Sequence, residues 1–266
     1  MIQNQRPKIS EIIPDISQDQ DDLVQHFRFL SIIVPTFKEA ENLEPLIARI
    51  ADTMDKVDMT YEVIVVDDDS QDGSPIIIND LAEKGYPVRI ITRMGERGLS
   101  TAVIHGFLEA KGDVLACMDA DLSHPPEALV WLIKVFEDSA TELAIGSRYV
   151  PGAGTAESWG MLRWLNSKLA TLLARPFTSV RDPMAGFLML PRFVFDRAQY
   201  LNPIGYKIGL ELIVKCSCYN IVEVPIYFET RKNGQSKLNL REQVNYIIHL
   251  KRLADFKLRE RFYNDI

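Results

Sequence analysis

The sequence predicts an α/β fold, with a mostly parallel sheet flanked by helices and a C-terminal amphipathic helix. Short apolar runs alternate with segments of helical periodicity, and this alternation implies right-handed crossovers between parallel strands. The runs are almost continuously apolar, as expected for strands that are covered on both faces. With 266 residues, of which 47% are hydrophobic and 25% charged, the chain can bury a sizeable core.

The first half of the chain carries the most regular pattern. Its predicted strands are residues 29–35, 61–68, 88–92, 113–119 and 143–147. Apolar residues at helical spacing predict helices between them, at residues 43–50, 76–84, 100–110 and 127–137. Ser100 is the expected N-cap of the third helix, because a serine side chain can accept hydrogen bonds from the free backbone N–H groups of a first turn.

The second half is less regular. The pattern predicts a long amphipathic helix at residues 159–177, a turn at 182–186, an apolar strand at 187–190 and a helix at 211–218. A further strand is predicted at residues 221–229. Pro225 restricts it to an edge or a bulge, because proline has no N–H to give to a neighbouring strand.

Three regions divide the chain. Residues 1–28 are polar and acidic, which predicts a flexible extension. Residues 29–238 are expected to form one domain, and residues 239–266 a basic amphipathic helix. Residues 237–261 hold seven basic and three acidic side chains, a local charge of +4 in a chain of net charge −7.

Composition and missing motifs exclude several functions. The net charge of −7 argues against nucleic acid as a partner, because phosphate backbones attract basic proteins. No apolar run reaches the ~18 residues of a membrane span, and no secretory signal is recognisable. The three cysteines suit a reducing, cytoplasmic compartment. The G-x-x-x-x-G-K-[ST] and G-x-G-x-x-G fingerprints of P-loop ATPases and nicotinamide dehydrogenases are absent from the expected positions.

Acidic residues follow three of the predicted strands. Glu39 comes after the first strand, residues 67–69 are all aspartate after the second, and Asp119 and Asp121 come after the fourth. Ligands of open α/β sheets bind beyond the carboxyl ends of the strands. So many carboxylates at one edge repel one another unless a cation offsets them. Oxygen ligands without histidine or cysteine favour Mg²⁺ or Mn²⁺.

Simpler interpretations of the same residues exist. Asp67 to Asp69 could form a helix cap and turn, and Asp119 and Asp121 could be solvated turn residues. Basic residues further along the chain could be ordinary surface charges. His124 is expected to support or cap the acidic segment rather than to bind a metal, and Cys216-x-Cys218 is expected to pack in the core. The convergence of the acidic clusters favours a functional site over these alternatives.

Five short segments resemble family 2 glycosyltransferases of the GT-A (Rossmann-like) fold. They are Pro-Thr-Phe-Lys-Glu (35–39), Asp-Asp-Asp-Ser (67–70), Asp-Ala-Asp-Leu-Ser-His (119–124), Gly-Ser-Arg-Tyr (146–149) and Gly-Gln-Ser-Lys-Leu (234–238). The third, fourth and fifth look most like the dolichyl-phosphate mannose synthase branch. The resemblance implies a GT-A domain, a nucleotide-sugar donor, with GDP-mannose favoured, and a polyprenyl-phosphate acceptor.

The resemblance also implies roles for single residues. The guanosine pocket is expected to be lined by Pro35, Phe37, Glu39, Val66 and Asp68. The donor diphosphate and the metal are expected to meet Asp119, Ala120 and Asp121, with Ser123 where the family often supplies a further metal ligand. Arg148 is expected near the transferred sugar and the acceptor phosphate, while Arg231 and Lys237 are expected to hold the donor phosphates. Phe37-Lys38 replaces the usual Tyr-Asn, Asp69 replaces a common glycine, and Leu188 stands where eukaryotic members are often basic.

The expected reaction follows from the charge of the acceptor. A phosphate monoester has a second pKa near ~6, so it is already largely dianionic at neutral pH and needs no strong general base. The site must instead supply cations that hold the two phosphates together, and Arg148 and Arg163 are the candidates on the acceptor side. Ser167 follows Arg163 by four residues, so the two share a helix face. The expected catalytic residues are therefore Asp121, Arg148, Arg163 and Ser167, in one inverting attack on the anomeric carbon.

Two stretches are candidates for contact with a membrane surface or a membrane-anchored partner. They are the apolar helix from Trp159 and the basic helix at 237–261, and they favour a cytoplasmic, peripherally membrane-associated protein. Two other functions stay open. One is a family 2 transferase that uses UDP-glucose or another nucleotide sugar with a lipid-phosphate acceptor, and the other is a non-catalytic nucleotide-sugar-binding protein.

Overall fold

The structure, a computed structural model, describes residues 27–138, 140–156, 161–229 and 240–264. Side chains at 161–165, 240–241 and 261–264 are not described. The predicted N-terminal extension therefore lies outside the described residues, apart from Phe27 and Arg28. Arg231, Lys237 and the 234–238 segment also lie outside them, as does the side chain of Arg163.

Strands and helices alternate through the first half of the chain. The elements are β1 (Phe29–Thr36), α1 (Ala40–Met54), β2 (Thr60–Asp67), α2 (Ser74–Glu83), β3 (Val88–Thr92), α3 (Leu99–Glu109), β4 (Val114–Cys117), α4 (Leu129–Lys134) and β5 (Leu143–Ser147). The second half contains β6 (Gly154–Thr155), α5 (Met161–Ala174), β7 (Leu188–Pro191), α6 (Arg192–Phe195), α7 (Ile208–Lys215), β8 (Ile221–Pro225), β9 (Tyr227–Phe228) and α8 (Leu240–Asn264).

A seven-stranded sheet in the order β3-β2-β1-β4-β7-β5-β8 forms the centre of the molecule. All its neighbouring strands are parallel except β7, which runs antiparallel to both β4 and β5. A short parallel pair, β6 and β9, lies beside it. The prediction of a mostly parallel sheet flanked by helices is therefore confirmed, and the antiparallel direction of β7 is the feature that the apolar pattern did not reveal.

Both faces of the sheet are buried, which explains the continuous apolar runs. In β1, Ile32 and Val34 pack into a cluster with α1, α2 and α4, whereas Ile33 packs on the opposite face with α3 and α7. Successive side chains of a strand point to opposite faces, so every position of β1 meets a helix layer. Gly106 lets α3 lie directly on β1, because a Cβ there would come within 2.6 Å of the Ile33 side chain.

Three local predictions differ from the structure. Ser100 lies inside α3, whose N-cap residue is Gly98, and the N–H of Gly98 donates to Asp68. The helix predicted at 127–137 is an α-helical segment between two 3₁₀ turns, Pro126–Ala128 and Val135–Glu137. The strand predicted at 221–229 divides after Pro225 into β8 and β9. Since β8 is an edge strand of the sheet, the restriction that Pro225 imposes is confirmed.

The C-terminal helix α8 packs against α7 and α5. A third apolar cluster joins Tyr246 and Leu253 of α8 to Leu210 and Val214 of α7, and the Tyr246 hydroxyl donates to the carbonyl of Ala170 on α5 at 2.7 Å. The predicted C-terminal helix is thus present and docked on the domain. None of the helices in the described ranges combines the length and apolarity needed to cross a bilayer.

Candidate active site

The carboxyl ends of β2, β1 and β4 lie side by side, because these strands are neighbours in the sheet. Parallel register fixes the alignment: Pro35 pairs with Val66, and Thr36 pairs with Asp67. The backbone N–H of Asp68 continues the ladder by donating to the carbonyl of Thr36 at 3.0 Å. The acidic segments that follow the three strands therefore meet at one edge, as the sequence predicted.

Asp68 is held in a buried ion pair with Arg93, a residue that the sequence analysis did not single out. The guanidinium of Arg93 donates to the carboxylate of Asp68, whose other oxygen accepts the N–H of Gly98 at 2.7 Å. Both side chains are less than 8% exposed. The pair holds the loop from 93 to 98 against the end of β2, so Asp68 shapes this wall of the site. Its contact with guanosine stays a prediction.

Phe37 lies at the same edge, beneath two cations. The guanidinium of Arg97 lies 4.5 Å from the centre of its ring, and the ammonium of Lys38 lies 5.5 Å away. Lys38 adopts a left-handed backbone with φ of 61°, which turns the chain sharply after β1. Glu39 accepts a hydrogen bond from the side chain of Asn42. The expected guanosine contacts of Pro35, Phe37, Glu39 and Val66 stay predictions.

Asp121 and Ser123 form a tight turn after β4. The carboxylate of Asp121 accepts hydrogen bonds from the backbone N–H and the hydroxyl of Ser123, at 3.0 and 2.5 Å, and Leu122 between them has a left-handed φ of 62°. Asp121 is only 3% exposed, whereas the Asp119 side chain is 22% exposed. Ser123 thus orients one carboxylate, while the other faces more open space. The metal-ligand role of Ser123 stays a prediction.

His124 supports this turn from behind. Its Nδ1 accepts the backbone N–H of Asp119 at 3.0 Å, so this nitrogen carries no proton. The ring stacks on Phe187 and meets Phe228 edge-on, with 5.3 Å between ring centres in each pair. Burial lowers the pKa of His124 despite the nearby carboxylates of Asp119 and Asp121. This arrangement agrees with the supporting role expected for it.

The residues present fit a hard divalent cation. The candidate donors are the oxygens of Asp119, Ala120, Asp121 and Ser123, with no sulfur or imidazole among them. Within the described ranges, no three histidine, cysteine, aspartate or glutamate side chains are grouped so as to hold a metal ion alone. Mg²⁺ commonly binds through one or two carboxylates and completes its shell with waters and phosphate oxygens. The donor set therefore suits a cation that arrives with a diphosphate.

Arg148 follows β5 and is held by Asp182. Its guanidinium donates to both carboxylate oxygens, at 2.7 and 2.8 Å, and its backbone N–H donates to the same group at 3.0 Å. Burial opposes the charged form of Arg148, but the hydrogen bonds and charge of Asp182 outweigh it, so its pKa lies above the ordinary value. The charge of Asp119 contributes in the same direction, which connects Arg148 to the acidic edge.

Asp182 positions the guanidinium of Arg148. The sequence pattern predicted this aspartate only as part of a turn. It is fully buried, and its own N–H and that of Arg181 donate to the carboxylate of Glu223 on β8, at 3.0 and 2.8 Å. An aspartate before proline is typical of ordinary turns, so no local pattern distinguishes it. Its role emerges only when β5, β8 and the 182–186 turn come together.

Ser167 of α5 is hydrogen-bonded to Tyr149, the residue that follows Arg148 in the chain. The Tyr149 hydroxyl donates to Ser167 at 2.7 Å, and the ammonium of Lys168 lies 3.9 Å from the centre of the Tyr149 ring. Burial raises the pKa of Tyr149, so it is a neutral hydrogen-bond donor at physiological pH. Arg148 and Ser167 therefore lie on either side of Tyr149, whereas the side chain of Arg163, the other cation predicted for the acceptor side, lies outside the described residues. The catalytic roles of Asp121, Arg148, Arg163 and Ser167 stay predictions.

Comparison with known proteins gives consistent matches. The profile of "Glycosyl transferase family 2" matches residues 31–198. A dolichol-phosphate mannosyltransferase of Saccharomyces cerevisiae is 43% identical over 235 residues, covering 85% of this chain and 87% of the relative. One from Pyrococcus furiosus is 43% identical over 232 residues and covers 86% of this chain. The chain spans 64% of the length of that relative.

Solved structures show the same fold at low sequence identity. The mannosyl-3-phosphoglycerate synthase of Rubrobacter xylanophilus matches with a TM-score of 0.64 and 18% identity, covering 89% of this chain and 75% of that one. The glucosyl-3-phosphoglycerate synthase of Mycobacterium tuberculosis, solved with Mn²⁺, UDP and glucosyl-3-phosphoglycerate, matches with a TM-score of 0.61 and 17% identity, covering 85% and 78%. At these identities the likeness concerns the fold alone.

Proposed function

Because the chain belongs to glycosyl transferase family 2 and is a glycosyltransferase, we propose that it transfers mannose from GDP-mannose to a dolichyl-type polyprenyl phosphate. Relatives named dolichol-phosphate mannosyltransferase, 41–43% identical over 85–86% of this chain, support the sugar and the acceptor. GDP-mannose as the donor rests on the resemblance of the sequence segments to that branch of the family. The reaction proceeds with inversion at the anomeric carbon.

One observation carries the proposal. Arg148 is fixed by Asp182, and it lies close enough to the acidic edge for the charge of Asp119 to raise its pKa. The site therefore offers carboxylates for a cation-bound diphosphate on one side and a guanidinium for a second phosphate on the other. Arginine suits phosphate recognition because its planar group donates two parallel hydrogen bonds.

Different residues bind the donor and the acceptor. Asp119 and Asp121, with Ser123, would hold Mg²⁺ or Mn²⁺, and the bound cation would stabilise negative charge on the departing nucleoside diphosphate. Arg148 holds and orients the acceptor phosphate, whose oxygen forms a bond to the anomeric carbon. The bond from that carbon to the donor diphosphate breaks, and its electron pair leaves with GDP. No side chain must remove a proton, because the acceptor is already dianionic at neutral pH.

Contact with a membrane surface belongs to the same proposal. Two neighbouring helices carry exposed apolar side chains: Leu169, Leu172 and Leu173 on α5, and Val244, Ile247 and Ile248 on α8. A lipid acceptor requires the enzyme to work at a bilayer or with a membrane-anchored partner. The three cysteines are buried and unpaired, which fits the cytoplasmic face of that membrane.

A donor and acceptor panel tests the proposal. The protein is incubated with Mg²⁺ or Mn²⁺, a polyprenyl phosphate, and labelled GDP-mannose, GDP-glucose or UDP-glucose, and lipid-linked product is separated and counted. The expected result is mannosyl-lipid formation that a chelator abolishes and either metal restores. Transfer from UDP-glucose in preference to GDP-mannose would overturn the donor assignment, and saturable donor binding without any lipid product would overturn the reaction.

A further inference from the structure

The start of α7 lies close to the turn that holds Arg148. Gly209 makes this approach possible, because a Cβ there would come within 2.9 Å of the Ala185 carbonyl oxygen and 3.5 Å of that of Pro183. Lys207, the N-cap residue of α7, is two positions earlier in the chain. The close packing therefore brings Lys207 to the same part of the molecule as Asp182 and Arg148.

Aromatic rings and fixed charges surround the Lys207 ammonium. It lies 4.5 Å from the centre of the Tyr206 ring and 5.5 Å from that of Tyr246 on α8. Burial, together with the positive charge of Arg148, lowers the pKa of Lys207 to about 8, although Asp182 and Glu242 act in the opposite direction. Most of the ammonium is still protonated at neutral pH.

The carboxylates near this cation are engaged with other groups. Asp182 gives both of its oxygens to Arg148, and no carboxylate in the described part of the chain forms an ion pair or a hydrogen bond with Lys207. Glu242, the other carboxylate that acts on Lys207, accepts a hydrogen bond from the side chain of Asn245 at 3.3 Å. Lys207 is partly buried. Burying a charge that has no direct counter-ion is costly, and a bound dianion would supply that counter-ion.

We propose that Lys207 binds the phosphate monoester of the lipid acceptor together with Arg148. This inference rests on the proposed function and extends it to a residue outside the motifs at the strand ends. The donor diphosphate belongs to the edge formed by Asp119 and Asp121, where a metal can neutralise it. Lys207 instead lies beside α8 and its Tyr246, among the helices that expose apolar side chains, which is the side where a prenyl chain would approach.

Kinetics with a water-soluble short-chain prenyl phosphate test the proposal. Loss of a charge-assisted hydrogen bond weakens binding by about tenfold to a hundredfold, so Lys207→Gln should raise the acceptor KM by that factor. The KM for the donor should change less than about twofold by the same reasoning. Lys207→Arg should retain most of the acceptor affinity. Lys56→Gln, which removes an exposed charge just after α1, is the matched control and should behave as the wild type.

A binding experiment without donor separates this inference from the proposed function. Prenyl phosphate, inorganic phosphate and the uncharged prenol are titrated into the wild type and Lys207→Gln by calorimetry. The substitution should weaken binding of prenyl phosphate and inorganic phosphate and leave prenol unaffected. This result can be obtained even if no nucleotide sugar yields a product, in which case only the proposed reaction fails. An unchanged affinity for prenyl phosphate, or an effect confined to the donor KM, would overturn the role of Lys207.

A pH series covers the case in which Lys207→Gln does not fold. Affinity of the wild type for prenyl phosphate should decrease as the pH rises from 7 to 10, because Lys207 loses its proton while Arg148 keeps its charge. Lys207→Arg stays protonated throughout, so its affinity should not decrease in the same way. Nearby groups that could also respond are Asp182, Glu242, Tyr206 and Tyr246, and they are identical in both proteins. Parallel curves for the two proteins would contradict the proposal.

Discussion

At the scale of single residues, the site depends on pairs formed between distant parts of the chain. Arg148 and Asp182 are 34 positions apart, and Arg93 and Asp68 are 25 positions apart. In each pair a buried carboxylate fixes the guanidinium in one orientation. Such preorganisation favours phosphate binding because the cation loses little further freedom when the ligand arrives.

Asp182→Asn tests this positioning role. The substitution keeps the size of the side chain but removes the counter-charge of Arg148, and breaking a buried ion pair commonly costs about 3 kcal/mol or more. The free energy of unfolding should decrease by that order, and the acceptor KM should increase while the donor KM is almost unchanged. Denaturant unfolding and steady-state kinetics measure the two effects.

The matched control for this variant is Asp196→Asn, which changes an exposed carboxylate. It should leave both the stability and the kinetics near those of the wild type, since surface substitutions commonly alter stability by less than about 0.5 kcal/mol. If Asp182→Asn behaved like this control, the orientation of Arg148 would not depend on Asp182.

At the scale of elements, Glu62 connects three parts of the sheet at the end remote from the site. It lies on β2 and accepts hydrogen bonds from the Ser31 hydroxyl of β1 at 2.7 Å and from the Lys111 N–H at 2.8 Å. Burial favours its neutral form, but these bonds and the pair with Arg89 outweigh burial, so the pKa of Glu62 lies below its usual value.

The lowered pKa of Glu62 predicts a defined pH dependence. The carboxylate contributes stability above its unfolded-state pKa, and this contribution is lost as the pH falls through the lower pKa of the folded state. Glu62→Gln should therefore be less stable than the wild type at pH 7, by about 1–2 kcal/mol, and the difference should shrink in acid. Urea unfolding from pH 7 to pH 3 measures it. The exposed control Glu83→Gln should show no such convergence, and a constant gap for Glu62→Gln would contradict the assignment.

Helix α8 is attached to α7 by a buried polar pair. His249 Nε2 and a carboxylate oxygen of Glu211 are 2.8 Å apart, and both side chains are fully buried. The second oxygen of Glu211 accepts the N–H of Asn202 at 2.9 Å. Removing the His249 side chain would leave Oε2 of the buried Glu211 carboxylate without this hydrogen-bond partner.

His249→Leu should therefore loosen α8. The free energy of unfolding should decrease by about 2–3 kcal/mol, and protease cleavage within α8 should become faster. Denaturant unfolding and limited proteolysis check these effects against Ile248→Ala, a neighbouring substitution at a position 42% exposed. Equal stability of the two variants would show that the buried pair does not hold the helix.

At the scale of the whole molecule, the sequence predicts the sheet better than the site. The runs that became β1, β2 and β4 are apolar at almost every position because both faces are covered, and this constraint is visible in the sequence itself. The direction of β7 was not predictable, since a short buried strand has the same composition in either orientation. Ser100 was misplaced as a cap because α3 begins at Leu99, directly after Gly98, whose N–H donates to the distant Asp68.

The acidic edge was predictable because it follows from strand order, which places Asp68, Asp119 and Asp121 at adjacent strand ends. Arg93 and Asp182 were missed for a shared reason. Each acts through a partner far away in the chain, and no local spacing distinguishes it from a surface or turn residue. Their roles follow from burial and geometry, which only the folded molecule provides.

The most direct test of the central claim compares mannosyl transfer by the wild type and Asp121→Asn. Both are supplied with GDP-mannose, Mg²⁺ or Mn²⁺ and polyprenyl phosphate, and lipid-linked mannose is counted while circular dichroism confirms that the variant is folded. We expect product with the wild type and a loss of at least about a hundredfold in the folded variant, as is typical when electrostatic stabilisation of a leaving group is removed. Full transfer by folded Asp121→Asn would contradict the role of Asp121 in mannosyl transfer.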